Sequence, residues 1–402
     1  MQMLMLESAQ DLLAHVVQQL TTDPYVSAVL VREPLLDLDF PATSDLDLMV
    51  IADVEELLPE RLVNGSSHST TPIDVIRLPR KLLHNCEELA QMGLVPHRLL
   101  SSRLVHDKTG KIGDELETLR LKLYEPKIHA QRLTGFLEMG FYTVREIGVT
   151  WDFPALALFW LHVGHAACVA AIVDGHRQFC ANVYTRPLAY CRQLEAQGCM
   201  QIVESFVQAL FLDTDVESLI APLRRMHRVV HERFPEPDWP SNMRQMTRYE
   251  YRYFGSGAEL DWRISVAREM ARCGNHADAV FYLRFWAYSL ARLPMVYHRA
   301  LEGIDVSFMR PECKVLPDLQ QHCPEILEDL SAILGPPLLA TTDINDSLGK
   351  LYELRELTLS FLKYHGIVLA GLRPWQPASF TSQNSCHVHT LTSPSKEEVL
   401  PQ

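Results

Sequence analysis

The chain has few basic residues for its length. Of 402 residues, 37 are Lys or Arg and 50 are Asp or Glu, so the formal net charge at pH 7 is −13. General nucleic-acid binding needs a basic surface that displaces counterions from phosphates. The shortage therefore argues against general nucleic-acid binding and favours a small substrate. A cationic acceptor would be drawn to such an acidic surface.

The chain also lacks the residue spacings of disulfide frameworks and of common zinc sites. Its nine cysteines include no C-x-x-C pair, and no H-E-x-x-H pattern occurs. An odd number of scattered cysteines is typical of reduced thiols in the cytosol. The segment Met1 to Leu6 has no basic flank and no cleavage-like site, which argues against a secretory signal. We therefore expect a cytoplasmic protein.

One apolar run approaches the length of a membrane span, Phe153 to Val173. It contains His162 and His165 and is bounded by Asp152 and Asp174. Polar and ionisable residues are costly inside a bilayer. The run therefore predicts a buried core helix and no membrane contact.

The chain does contain an unusual set of acids on apolar strands. Asp45 and Asp47 lie in the run S-D-L-D-L-M-V from Ser44 to Val50, and Asp74 lies in I-D-V-I. Alternation along a strand puts Asp45 and Asp47 on one face and the intervening apolar residues on the other. A D-x-D pattern alone could simply end a strand in solvent. The third acid favours a site where Asp45, Asp47 and Asp74 bind one or two Mg²⁺ ions.

These motifs resemble those of the nucleotidyltransferase superfamily with a DNA polymerase β-like minimal domain. That family carries S-D-x-D-h-x-V on one strand and h-D-h on a neighbouring strand, where h is apolar. The resemblance implies a catalytic and metal-binding role for Asp45, Asp47 and Asp74. Ser44 is then a nucleotide-binding candidate.

One part of the family pattern is missing. Family members usually have a Gly-Ser pair about a dozen residues before the first acid, at a helix N-terminus that holds the nucleotide phosphates. This chain has Arg32-Glu33-Pro34 at that distance. Arg32 could serve as a phosphate ligand instead, whereas Glu33 would repel a triphosphate. We therefore expect the metal-binding acids to be intact and the phosphate-binding segment to differ from that of the family.

The pattern of elements predicts an α+β protein with two parts. Residues 1–115 read as a small mixed-sheet nucleotidyltransferase-like catalytic domain, within which residues 54–62 favour a short helix. Residues 116–372 read as a large all-α helical bundle with a possible subdivision near 234–245, and 373–402 as a disordered tail. In the bundle, the aromatic and basic run Tyr249 to Phe254 could be a base-stacking platform, but a packed helix or domain contact is favoured.

This organisation resembles the kanamycin-type and streptomycin-type adenylyltransferases. In that family the helical domain completes the acceptor pocket and can supply the general base, for which Glu138 and Glu146 are candidates here. The resemblance implies Mg²⁺-dependent transfer of a nucleoside monophosphate from an NTP such as ATP to a hydroxyl of a small acceptor, with release of pyrophosphate. Two alternatives stay open: a catalytically impaired binding or regulatory protein, and a transferase acting on a protein or tRNA, as in toxin–antitoxin systems.

Overall fold

The structure is a computed structural model. It describes residues 2–32, 46–62, 73–149, 153–178, 183–208, 214–305, 315–335, 341–369 and 372. The tail from residue 373, and the prediction of disorder made for it, lie outside the described residues.

The N-terminal part is built on a five-stranded mixed sheet in the order β3-β4-β2-β1-β5. β2 runs parallel to β4, while the other neighbouring strands pair antiparallel. The strands are β1 (Val26–Arg32), β2 (Leu46–Ala52), β3 (Leu58–Leu62), β4 (Ile73–Pro79) and β5 (Ser102–Asp107).

One sequence expectation is wrong in this region. Residues 54–62 were expected to form a short helix, but Leu58–Leu62 is an edge strand paired antiparallel with β4. The apolar residues Val54, Leu57 and Leu58 have helical spacing, yet an isolated turn of helix gains little stability. Backbone hydrogen bonds to β4 decide the outcome.

Apolar residues of alternating strand positions form two cores, one on each face of the sheet. Leu46, Leu48 and Val50 pack with the first helix on one face. Met49 and Ile51 belong to the cluster on the opposite face, which is covered by the helices around residues 80–123. Asp47 follows the same alternation and therefore points to the face of Met49 and Ile51.

The remaining elements are helical. A 3-10 helix covers Arg80–His84, and the α-helices are α1 (Gln2–Thr21), α2 (Cys86–Ala90), α3 (Val95–Leu100), α4 (Ile112–Leu123), α5 (Pro126–Val149), α6 (Pro154–Gly175), α7 (Pro187–Ala196), α8 (Met200–Gln208), α9 (Val216–Arg233), α10 (Gln245–Gly255), α11 (Gly257–Arg272), α12 (His276–Ala291), α13 (Leu293–Leu301), α14 (Val315–His322), α15 (Pro324–Leu334) and α16 (Thr341–Tyr364).

The helices α5 to α16 enclose a single large apolar core. α6 is long and apolar enough to cross a membrane by length and composition, but its most apolar 18-residue window is 100% buried inside the fold. It therefore has the surroundings of a core helix. A small mixed sheet followed by a large helical region confirms the α+β fold class. The domain boundaries themselves stay a prediction.

Candidate active site at the sheet edge

Two of the three sequence-predicted acids lie directly beside each other. Asp47 of β2 and Asp74 of β4 are register partners in the parallel strand pair. Neighbouring strands are about 4.8 Å apart, and register partners point to the same face. The side chains are partly solvent-accessible, with 31% of Asp47 and 16% of Asp74 exposed. The two carboxylates can therefore act on one ligand that approaches from solvent.

The strand sequence explains this placement. Both acids stand at the second position of their strands, before mainly apolar segments, of which the one in β4 also contains Arg77. The flanking residues Leu46, Leu48 and Val75 are buried on the opposite face. Burial of these apolar neighbours fixes which face each carboxylate takes, because a one-residue slip would exchange the two faces.

Arg32, the predicted phosphate ligand, ends β1 beside these acids. The antiparallel register pairs Val31 with Leu48, so the next position brings Arg32 level with Asp47. Nη1 of Arg32 lies 3.0 Å from Oδ2 of Asp47, and Arg32 is only 8% exposed. The guanidinium therefore neutralises one carboxylate at the candidate site.

A residue of the helical region reaches the second acid. The Tyr249 hydroxyl, on α10, donates a hydrogen bond to Oδ1 of Asp74 with an O–O distance of 3.2 Å. The Tyr249 ring stacks on Tyr253 one turn later, with centroids 5.6 Å apart. The aromatic run therefore makes packed contacts, as favoured, and one of its residues reaches the sheet.

Arg263 of α11 also approaches Asp74, with 3.7 Å between its Nη2 and Oδ2 of the carboxylate. The guanidinium is held in place by a bond from Nε to Glu259 at 2.7 Å and a bond from Nη1 to the Tyr282 hydroxyl at 2.8 Å. Nη2 also donates to the Tyr253 hydroxyl. Since Arg263 is 7% exposed, this positive charge has little freedom to move.

Aromatic rings complete the enclosure of Arg263. Its guanidinium carbon lies 5.3 Å from the Tyr253 ring centroid and 5.7 Å from that of Trp286. Such contacts stabilise a cation through the negative face of each ring. Burial raises the pKa of Tyr253 well above its ordinary value, so this phenol stays a neutral hydrogen-bonding group.

The other predicted site residues are placed as follows. Ser44 and Asp45 immediately precede β2 and lie outside the described residues, as do Glu33 and Pro34.

The general-base candidates Glu138 and Glu146 lie on α5, which packs against α6 and α2. The helices that reach Asp74 are instead α10 and α11.

Sequence reasoning did not assign Tyr249 or Arg263 to this site. Tyr249 is 175 residues from Asp74 in the chain, and no local spacing connects them. The only available signal was the aromatic run itself, because tyrosine hydroxyls in a mostly packed helix need polar partners. For Arg263 a weaker signal exists: Glu259 precedes it by one helical turn, a spacing that favours an ion pair.

Comparisons with known proteins add little to this picture. No family model matches the chain, and no curated protein matches it. Among solved structures, the chain is similar to a nucleotidyltransferase-like protein from Exiguobacterium sibiricum, with 12% identity and a TM-score of 0.29. The match covers 65% of this chain and 90% of that one. At that similarity the functional argument rests on the geometry of this chain alone.

Proposed function

We propose that the protein is a Mg²⁺-dependent nucleotidyltransferase that moves a nucleoside monophosphate from an NTP to a small-molecule acceptor. The observation that carries the proposal is the register pairing of Asp47 with Asp74 on parallel strands. Asp47 is also the second acid of the S-D-L-D pattern, and carboxylates paired in this way suit the metal-assisted phosphoryl transfer that we propose. The acidic net charge supports a small acceptor over a nucleic acid.

The donor atoms fit a magnesium ion. Asp47 and Asp74 offer carboxylate oxygens on one face of the sheet, both partly open to solvent. Mg²⁺ prefers oxygen ligands and keeps several waters, so a half-open site of two or three carboxylates suits it. Asp47, Asp74 and the adjacent Asp45 would hold the ion. When bound, it supplies charge stabilisation for the triphosphate.

The chain's own residues would orient the reaction. The acceptor hydroxyl oxygen attacks the α-phosphorus of the NTP, and the bond to the pyrophosphate oxygen breaks. Arg32 is placed beside Asp47, where it can turn toward a phosphate oxygen. Arg263 and Tyr249 hold the Asp74 carboxylate in one orientation. That carboxylate can then receive the proton of the attacking hydroxyl or direct it to water.

The helical region would form the acceptor side of the site. Tyr249 and Tyr253 are stacked, with an interplanar angle of 22°. Tyr249 is partly exposed beside Asp74. A flat or sugar-like acceptor could pack on this ring while its hydroxyl faces the acids. This arrangement gives the helices a direct role in positioning the acceptor.

The test is transfer of label from each α-labelled NTP, with Mg²⁺, to molecules of a cell extract. We expect label on a small molecule with wild type and none with Asp47→Asn. Asp53→Asn is the matched control, because Asp53 follows the same strand at its other end and is exposed. Label on a protein or tRNA would favour the alternative acceptor class. Equal labelling by wild type and Asp47→Asn would overturn the mechanism.

A second candidate function is a nucleotidyltransferase-like binding or regulatory protein. The arginines favour it: Arg32 already pairs with Asp47, and Arg263 already approaches Asp74. Two guanidinium charges can compensate two carboxylates without a metal ion. In that case the acids would stabilise the contact between the sheet and the helices, and the protein would bind a nucleotide without turning it over.

Arg32→Gln separates the two functions. If Arg32 is a phosphate ligand, the substitution weakens NTP binding and slows transfer. If it permanently neutralises Asp47, removing the charge strengthens Mg²⁺ binding, and transfer stays absent in both proteins. Calorimetric titration with Mg²⁺ and with a non-hydrolysable NTP analogue, done on both proteins, measures the two quantities directly.

A further inference from the structure

A second polar cluster lies in the helical region and takes no part in the proposed function. His298 of α13, Asp318 of α14 and His322 of α14 each offer one ligand atom, and these atoms all lie within 4.8 Å of one another. Nδ1 of His298 is 3.1 Å from Oδ1 of Asp318. The ring centroids of His298 and His322 are 4.7 Å apart. The three side chains therefore converge on one point.

The helix geometry explains how two of these ligands meet. Asp318 and His322 are four residues apart on α14, so they project from the same face. His298 approaches from α13, which packs against α14. The His298 ring is supported by Phe234, whose centroid lies 5.6 Å away at an interplanar angle of 80°. The packing of α13 against α14 therefore brings the three ligand side chains together, and Phe234 supports one of them.

One atom of the cluster lacks a partner. Oδ2 of Asp318 is buried and has no hydrogen-bond partner within the part of the chain that the structure describes. A buried carboxylate oxygen without a partner costs free energy. The nearby Arg233 donates instead to the His322 carbonyl and to Glu325. A cation at the cluster would give Oδ2 of Asp318 a partner that this arginine does not supply.

We propose that His298, Asp318 and His322 bind a divalent transition metal of the Zn²⁺ class. Two imidazoles and one carboxylate are the donor set that Zn²⁺, Co²⁺ and Ni²⁺ favour, whereas Mg²⁺ prefers oxygen donors alone. Ligand atoms bonded at about 2 Å in a tetrahedral site lie a little over 3 Å apart, close to the His298–Asp318 separation. Three protein ligands leave the fourth position to water.

Metal binding would connect α13 to α14. On binding, the hydrogen bond between His298 and Asp318 is replaced by two bonds to the ion, and the Nδ1 proton leaves or moves to Nε2. The exposed His322 then closes the site from the solvent side. The bound form should therefore unfold at a higher temperature than the free form.

The experiment is a Co²⁺ titration of untagged, full-length protein reduced with a non-chelating phosphine. We expect one equivalent to produce visible d–d bands without a thiolate charge-transfer band, displacement by Zn²⁺, and no displacement by millimolar Mg²⁺. Thermal unfolding should shift upward with the same stoichiometry. A thiolate band would instead assign the metal to cysteines and overturn the proposal.

Variants locate the bound ion. His322→Gln and Asp318→Asn should each remove the one-equivalent phase while the circular dichroism stays that of wild type. His15→Gln is a matched control, since His15 is an exposed helical histidine whose ring nitrogen pairs with Gln19. His387→Gln controls for the H-x-H pair at the end of the chain. Unchanged Co²⁺ binding in both His322→Gln and Asp318→Asn would overturn the assignment.

Discussion

Aspartate pairs with arginine both at the candidate site and in the helical interior, and the two clusters differ in burial and in geometry. At the ends of the sheet strands, Nη1 of Arg32 lies 3.0 Å from Oδ2 of Asp47, and the Asp47 side chain is 31% exposed. In the interior, Arg132 holds Asp174 through two bonds, from Nε at 2.8 Å and Nη2 at 2.7 Å, and Asp174 is 0% exposed. One aspartate–arginine pair is therefore open to solvent, and the other is buried in the core.

The buried cluster joins three helices. Asp174 ends α6, Arg132 lies on α5, and His97 comes from α3 beside the sheet. His129 bonds the Asp174 carbonyl at 3.0 Å, and Nη1 of Arg132 donates to the Leu123 carbonyl. Burial by itself raises the pKa of Asp174, but the surrounding histidines and Arg132 outweigh it and lower the pKa. The carboxylate is therefore ionised and fully paired.

The difference shows which cluster can exchange partners. Both carboxylate oxygens of Asp174 accept hydrogen bonds in a buried bidentate ion pair with Arg132, so a ligand cannot approach them. The side chains of Asp47 and Asp74 also contact arginines, but part of each stays accessible to solvent. Removing one partner of a buried ion pair destabilises the fold, because the other charge stays buried without a counterion. A carboxylate that is partly open to solvent can still bind a ligand or a metal ion. The sealed cluster serves stability, and the open one is available for function.

The largest expected effect is on turnover at the open cluster. Asp74→Asn should reduce the proposed nucleotidyl transfer by about 10³-fold, equivalent to about 4 kcal/mol of barrier. It should change the free energy of unfolding little, because the amide can still accept the Tyr249 hydrogen bond and Glu259 still pairs with Arg263. Labelled-NTP turnover and urea unfolding of the same preparation measure both quantities. A variant that lost stability and kept turnover would reverse the roles assigned to the two clusters.

The opposite result is expected for the sealed cluster. Asp174→Asn leaves the buried Arg132 charge without a counterion and should lower the free energy of unfolding by about 3–5 kcal/mol. Asp261→Asn is the control, since Asp261 pairs with Arg224 at an exposed site where ion pairs contribute less than about 1 kcal/mol. Urea denaturation measures each value. Equal losses for Asp174→Asn and Asp261→Asn would contradict the comparison.

The two clusters also differ in how far the sequence could predict them. Asp47 and Asp74 were found because strand alternation is local, and both acids do lie on strands, β2 and β4. Tyr249 and Arg263 could not be assigned to the site, because helix packing brings them to Asp74 across more than 170 residues. The same limit explains β3, where pairing with β4 overrides a locally helical apolar spacing.

The third prediction concerns pH and the sealed cluster. Burial lowers the pKa of His97 to about 4, whereas an unfolded histidine titrates near pH 6.5. The unfolded chain therefore binds the proton first, so stability is lost as pH falls from about 6.5 to about 4, by roughly 3 kcal/mol in full. Comparing the pH dependence of unfolding between wild type and His97→Gln isolates this contribution.

Wild type has to be compared with His97→Gln because other buried groups titrate in the same pH range. Burial raises the pKa of Glu250 to about 8, which gives the opposite slope between about pH 4.5 and 8. His165 has its pKa lowered by burial to about 4 and adds to the loss. Both contributions cancel in the difference between wild type and His97→Gln. Parallel pH curves for the two proteins would contradict the assignment of a neutral buried His97.

The smallest expected effect comes from the hydrogen bond between α10 and the open cluster. Tyr249→Phe keeps the ring stacked on Tyr253 and removes only the hydroxyl that donates to Asp74. A hydrogen bond to a charged group contributes about 1.5–3 kcal/mol when buried, and solvent access to Asp74 lowers this to about 1 kcal/mol. Tyr25→Phe is the control, because Tyr25 is 63% exposed. A double-mutant cycle of Tyr249→Phe with Asp74→Ala then measures the coupling between helices and sheet, and a coupling energy of zero would show that α10 contacts the acid without stabilising it.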